Sequence, residues 1–132
     1  MRSAVEMLAE AIGYPERVSE GALSFTFRVD DVPIPARVSG GCLLLRWDFP
    51  EAVPPGTLAA YAAGRILREE AIVAWDPAKE RAFLWQKAPK GADGRALAET
   101  FRRFLWSRDW WAERVAELTA PKAKLAELII RG

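Results

Sequence analysis

Histidine is absent from these 132 residues, and cysteine occurs once, at position 42. Without histidine the chain lacks the one side chain that ordinarily titrates near neutral pH, and with it the commonest metal ligand. Ser–His–Asp and Cys–His nucleophiles, zinc sites and iron–sulfur sites are excluded together. A lone cysteine forms no intrachain disulfide, and Cys42, followed by Leu43-Leu44-Leu45, reads as a small buried hydrophobe. An excess of either charge is missing too. Nineteen Lys and Arg face eighteen Asp and Glu, for a net charge of +1, so no global field draws the chain to nucleic acid or anionic lipid. No apolar run approaches the ~18 residues of a membrane span. The opening segment, interrupted by Glu6 and Glu10, lacks the apolar core of a signal peptide. The expected location is the cytoplasm. A phosphate-cradling loop is also lacking: Gly40-Gly41 marks a hairpin, and Gly91 with Gly94 has no Lys-Ser/Thr ending. The adjacent carboxylates Asp30-Asp31 and Glu69-Glu70 diverge in direction on a strand or helix. The expectations are no catalytic cluster, no metal site, no cofactor, and no nucleic-acid or membrane partner. The chain should act through its surfaces and not as an enzyme.

What is there in quantity is tryptophan, six residues, set within a clear pattern of periods. Val5, Leu8, Ala9 and Ile12 fall at helical spacing over residues 3 to 13. Ser3 and Glu6 form a capping box, and Gly13 and Pro15 mark a stop. The period then changes to two. Leu23, Phe25, Phe27 and Val29 alternate with polar residues, predicting a half-buried strand. After an Asp30-Asp31 turn, Val32 to Val38 predicts a second strand, which Pro33 and Pro35 make irregular or confine to an edge. Gly40-Gly41 is a hairpin signal. The third strand, Cys42 to Phe49, lays Leu43, Leu45, Trp47 and Phe49 on one face and Leu44, Arg46 and Asp48 on the other. A proline-rich connector leads to a second helix, capped by Thr57 and running to about Glu70. Leu58, Tyr61, Ala62 and Leu67 form its stripe, and its many small residues permit a neighbour to approach closely, either the chain's own sheet or a second subunit. Ala71 to Trp75 and Arg81 to Lys87 form another hairpin around Asp76 to Glu80. A final helix from Asp93 or Gly94 to Leu118 presents Leu97, Phe101, Phe104, Leu105, Trp111, Val115 and Leu118 on one face. Arg108 lies within that stripe and is expected to snorkel to the rim. Pro121 is expected to end the helix, leaving 121–132 as a tail that can form a short helix. Residues 1–120 then make one α+β domain: an antiparallel five-stranded sheet in the order α-β-β-β-α-β-β-α, with helices mainly on one face.

Three stretches of this pattern resemble the class I type III secretion chaperones, the Tir-chaperone-like family. They are the opening helix Ala4 to Gly13, the centre from Leu58-Ala59-Ala60-Tyr61 through Ile72-Val73-Ala74-Trp75-Asp76 to Phe83-Leu84-Trp85-Gln86, and the closing helix with Leu97, Phe101, Phe104 and Trp111. Together they cover nearly the whole chain to Leu118. The sequence departs from the family in its near-neutral charge and in Asp30-Asp31, where the family has an Asp-Gly turn. The resemblance implies a bacterial, cytoplasmic homodimer that catalyses nothing. It would hold an extended, unfolded segment of a secreted effector protein in hydrophobic grooves, and that segment can add a strand to a sheet edge. The same fold serving as a non-secretory dimeric scaffold or regulatory protein is the alternative.

Candidate partner-binding residues are Val5, Leu8 and Ile12 on the first helix, Leu23, Phe25 and Phe27 on the first strand, and Trp106 and Trp110 on the last helix. The first six can equally bury one another. Candidate dimer-interface residues are Leu58, Tyr61, Arg65, Trp75 and Trp85. Trp106 and Trp110 point away from the apolar stripe of the last helix. Hiding both is worth at most about 8–12 kcal/mol, so both are expected to be covered. The cover is the tail (Leu125, Leu128, Ile129), a second subunit or an effector.

Overall fold

The structure is a computed structural model. It describes residues 2–63 and 71–131, and for 62, 63 and 119–131 the backbone alone. Helix α1, Ala4–Ala11, starts where the Ser3 hydroxyl accepts the Glu6 N–H at 3.2 Å. It stops at Gly13, whose φ of 65° an L side chain would resist. The return half of the expected capping box is not made, because the Glu6 carboxylate accepts the Gly21 N–H instead and pins the loop that follows α1.

Five antiparallel strands follow: β1 (Ser24–Val29), β2 (Val32–Ser39), β3 (Cys42–Asp48), β4 (Ile72–Asp76) and β5 (Arg81–Lys87), in the spatial order β1-β2-β3-β5-β4. Helix α2, Pro55–Ala63, links β3 to β4, and α3, Gly94–Arg131, closes the chain. The element order and the α+β class are those expected. Two-residue turns close the first hairpins, with positive φ at both Asp30 and Asp31 and at both Gly40 and Gly41, the geometry that matches strand twist. Helices α1 and α3 pack on each other and on one face of the sheet. Beneath them Leu43, Leu45, Trp47 and Phe49 of the β3 segment, Ile34 and Phe27 meet Leu97, Phe101, Phe104, Trp111 and Val115 of α3.

Of the two outcomes expected from the prolines of β2, an edge position is not realised, since the strand lies between β1 and β3, whereas an irregular strand is, since its pairing to β3 is incomplete. The hydrogen-bond parity of the strand explains how. The Leu23 carbonyl accepts from Val38 N–H, so odd-numbered residues of β1 bond to β2 and even-numbered ones point outward. Pro33 and Pro35 pair with Arg28 and Thr26, the outward set, so the ladder to β1 needs no N–H from either. Their missing donors face β3, and the β2–β3 pairing begins only at Ala36. The sheet is therefore split between the proline half of β2 and the end of β3, which continues with β5 alone through Asp48↔Phe83.

Three further expectations are corrected. Leu23 lies just before β1 and is 64% exposed, not part of the buried stripe. Thr57 does not cap α2, which begins two residues earlier with Pro55 at its first position, where proline's fixed φ suits a helix and its missing N–H costs nothing. The Glu70 end of that helix lies outside the described residues. Pro121 does not end α3, whose helical backbone runs through it to Arg131, although a proline there offers no N–H to the Glu117 carbonyl. The Asp93 side chain caps α3 by accepting the Ala96 N–H at 2.9 Å.

Candidate partner-binding surfaces

The split in the sheet sets up the first surface. Val32 and Ile34, on the β2 half that leaves β3, line a cavity of about 190 Å³ with Val29, Leu105, Trp106 and Arg108. A second cavity of about 710 Å³ shares Val29, Arg102 and Leu105 with it and continues past Phe101 to Ile12, Gly13 and Tyr14. The two form one groove between α3 and the α1–β1 side of the sheet. Trp106 stands at its end, 68% exposed. Arg108 reaches the rim as expected: its guanidinium meets Asp109 at 2.6 Å and lies 5.4 Å from the Trp47 ring, although its Nε is buried with no hydrogen-bond partner.

The candidate groove residues divide. Val5, Leu8 and Phe27 are wholly buried and bury one another in the core, which takes them away from any partner. Ile12 and Phe25 are half-buried against that core, and Leu23 stands outside it. Trp110 is half-buried, edge-on to Trp111 at 5.0 Å with the Arg114 guanidinium 5.0 Å from its ring. Trp106 is uncovered within the chain. The tail does not fold back over it, because a continuous helix carries Leu125 about 28 Å along the axis from Trp106. The side chains of Leu125, Leu128 and Ile129 lie outside the described ones.

The second surface surrounds β4. Tyr61, Ile72 and Trp75 are 39–45% exposed. Leu58 is buried beside a cavity of about 180 Å³ that it shares with Val73, Trp75 and Ala82. Trp85 is half-buried on the face that carries neither α1 nor α3, opposite Ile72 and Arg46. Arg65 lies outside the described residues. On that same face Arg46 bonds Asp48 at 2.7 Å and Asp76 at 3.1 Å, and its guanidinium stacks 3.9 Å from the Phe83 ring centroid. Lys79 adds a second cation to Asp48 at 3.1 Å. Partial burial pushes the Asp48 carboxyl up, but hydrogen bonds and charge from Arg46 and Lys79 outweigh it and hold the group below its ordinary range. The Arg46 hydrogen bond does the same to Asp76. Sequence reasoning placed Arg46 and Asp48 on one strand face but missed Asp76. The signal was its position at the start of the β4–β5 turn, level with β3 only once β5 intervenes. Among the described residues no group of Asp, Glu or Cys comes together as a metal-ligand set, and no helix is long and apolar enough to cross a membrane.

No family model matches this sequence, and no curated protein does. Solved structures do. A chain of the HopA1–SchA chaperone–effector complex superposes with a TM-score of 0.65 at 15% identity, over 83% of this chain and 91% of that one. A chain of the ExoT–SpcS complex from Pseudomonas aeruginosa gives 0.64 at 17% identity, over 82% and 93%. A chain of the ExsC–ExsE complex gives 0.63 at 16%, over 83% and 89%. The likeness shows that the fold is shared across more than four-fifths of each chain.

Proposed function

We propose that this chain is a type III secretion chaperone of class I: a cytoplasmic homodimer that holds an extended, unfolded segment of a secreted effector and performs no catalysis. The observation that carries this reading is the fold it shares with a chain of a chaperone–effector complex. An uncovered groove of mixed apolar and charged lining that ends at Trp106 supports it. An aromatic side chain buries about 150–250 Å². With 68% of Trp106 in water, covering it is worth about 3–4 kcal/mol at ~25 cal/mol per Å², a large return for one residue of a bound segment. Ile12 and Trp106 line the groove with surface to give, Phe25, Trp110 and Leu23 offer further surface outside its lining, and Val5, Leu8 and Phe27 belong to the core.

The second copy of the chain docks at the β4 surface, through Tyr61, Trp75 and Trp85 with Leu58 and Arg65. A strand edge flanked by exposed Ile72 and Trp75 is an aggregation hazard unless something covers it, and a symmetric dimer covers it permanently. Co-expression with neighbouring reading frames is expected to yield a stoichiometric complex in which an N-terminal segment of the partner is protected from protease. Repeated failure to recover any polypeptide partner sinks the reading, and a host genome without a type III apparatus turns it toward the non-secretory scaffold.

A further inference from the structure

A cation interrupts the apolar stripe of α3. Arg108 lies four residues after Phe104 and three before Trp111, both buried, where the helical spacing calls for a hydrophobe. Its side chain is only 20% exposed, with the guanidinium 5.4 Å from the Trp47 ring. One Nη donates to Asp109 at 2.6 Å, and the Nε is buried with no hydrogen-bond partner. A guanidinium carries five N–H donors in a planar fork, so this one is far from satisfied within the chain. Taking a cation out of water costs free energy, and a well-packed hydrophobe of similar volume is often neutral or stabilising in its place. Folding therefore gives no reason for a charge at this position.

The groove does give one. Arg108 borders the 190 Å³ cavity at the Trp106 end, beside Val32, Ile34 and Leu105. We propose that Arg108 is the selectivity residue of this groove, and that the segment it accepts carries a carboxylate side chain close to an apolar one: the apolar group covers Trp106 and the carboxylate takes the open side of the Arg108 fork. The proposal rests on the reading of this chain as a binder of extended polypeptide. A carboxylate matches a guanidinium in charge and in its two-acceptor geometry. Because the Nε is closed off, the carboxylate arrives at the Nη end, where Asp109 already holds one nitrogen. Two carboxylates of the lining, Asp30 and Asp109, oppose it, but both are exposed and their charge is screened by water. Arg102 lines the cavity too, but it is exposed and bonds Glu99 at 2.8 Å.

The test uses the full chain and three blocked octapeptides of alternating Val and Thr, in which one central Thr is replaced by Glu, Gln or Lys. Titration followed by NMR gives the affinities. The parent is expected to bind the Glu peptide about tenfold tighter than the Gln peptide and to bind the Lys peptide weakest. Only the Glu peptide should shift the Arg108 Nε–H resonance. Arg108→Gln should bind the Glu and Gln peptides equally. Arg108→Lys, which keeps the charge but not the fork, should retain about a threefold preference, and it carries the test if Arg108→Gln does not fold. Asp109→Asn, at an exposed site, should tighten the Glu peptide about threefold by freeing an Nη, a gain that a purely structural Arg108 would not produce. Arg108→Leu should leave the denaturation midpoint unchanged or raise it. Equal affinities in the parent, no binding of any of the three peptides, a Glu preference that survives in Arg108→Gln, or a marked loss of stability in Arg108→Leu overturns the proposal. The chaperone reading is judged separately, by recovery of an effector complex, and stands or falls whichever peptide is preferred.

Discussion

The sheet has two edges, and they are built differently. At β1 the open face beside the edge carries Ser24, Thr26 and Arg28 from β1 and Pro33 and Pro35 from β2. One backbone donor there is already met by Tyr14. At β4 the side chains on either face of the strand are Ile72 and Trp75, both exposed, with Tyr61 of α2 nearby in the chain and also exposed. The β1 edge is thus polar, and one of its outward donors already has an acceptor within the chain. An apolar edge, whose exposure costs free energy whenever it is bare, suits a partner that stays. The same motif, a strand lacking a neighbour, thus presents a polar open face at one edge and exposed apolar side chains at the other.

Substitutions can separate the two edges. The largest effect is expected for Phe27→Ala. That ring is wholly buried and touches Tyr14, Phe25 and Phe101, so its loss should cost about 3–5 kcal/mol of stability in denaturant titration. A cost below 1 kcal/mol would show that the β1 aromatics are surface and not core. Next comes Trp75→Ala at the other edge, expected to weaken self-association by about 2–4 kcal/mol with little change in denaturation midpoint. Light scattering at several concentrations reads it, and a parent that is strictly monomeric removes the contrast altogether. Trp106→Ala should leave stability within about 0.5 kcal/mol, as for an exposed site, yet weaken a purified effector complex about tenfold or more by calorimetry. Unchanged affinity would take Trp106 out of the groove's function. The smallest effect belongs to the Arg46 network near β4. Asp48 and Asp76 are held below their ordinary range. The stability they contribute is therefore present above the ordinary aspartate value of about 3.9 and is lost as pH falls through their lowered folded values. An Arg46→Met variant should flatten the acid limb of a stability–pH curve, and the difference should shrink in high salt because the groups are solvent-exposed. Identical acid limbs would mean the network contributes nothing.

Much of the fold was legible in residue order. Period-two alternation in Phe25, Phe27 and Val29 and in Leu43, Leu45, Trp47 and Phe49 marks strands with one buried face, and all but two of these seven residues are fully buried. Ser3, Gly13, Gly40-Gly41 and Asp30-Asp31 act through their own backbone and side-chain chemistry, so each punctuates the chain as read. The misreadings share a cause. Pro33 and Pro35 leave an irregular strand and an edge strand equally open in the sequence, because the outcome depends on which neighbour each missing N–H would face, and that depends on pairing. Pro121 and Thr57 look like boundaries one residue at a time, but a helix boundary also depends on the backbone bonds either side of it. The candidate groove was half legible. Val5, Leu8, Phe27 and Trp106 all look alike as apolar residues on amphipathic elements, yet the first three are core and the last is exposed.

By itself, then, the order of residues determined the elements, their sequence along the chain, and which face of each is apolar, because these follow from interactions within a few residues: caps, turns and the periods of helix and strand. Only the tertiary structure decided which apolar faces are satisfied and which are left over. That choice depends on long-range partners, on α1 and α3 closing over Phe27 and Leu45, on a sheet that splits beyond two prolines, and on a continuous α3 that carries the tail away from Trp106. The excess of tryptophan in a chain without histidine therefore resolves in three dimensions. Trp47 and Trp111 build the core, Trp85 and Trp110 are half-buried, and Trp75 and Trp106 stand exposed at opposite ends of the molecule's unfinished surface.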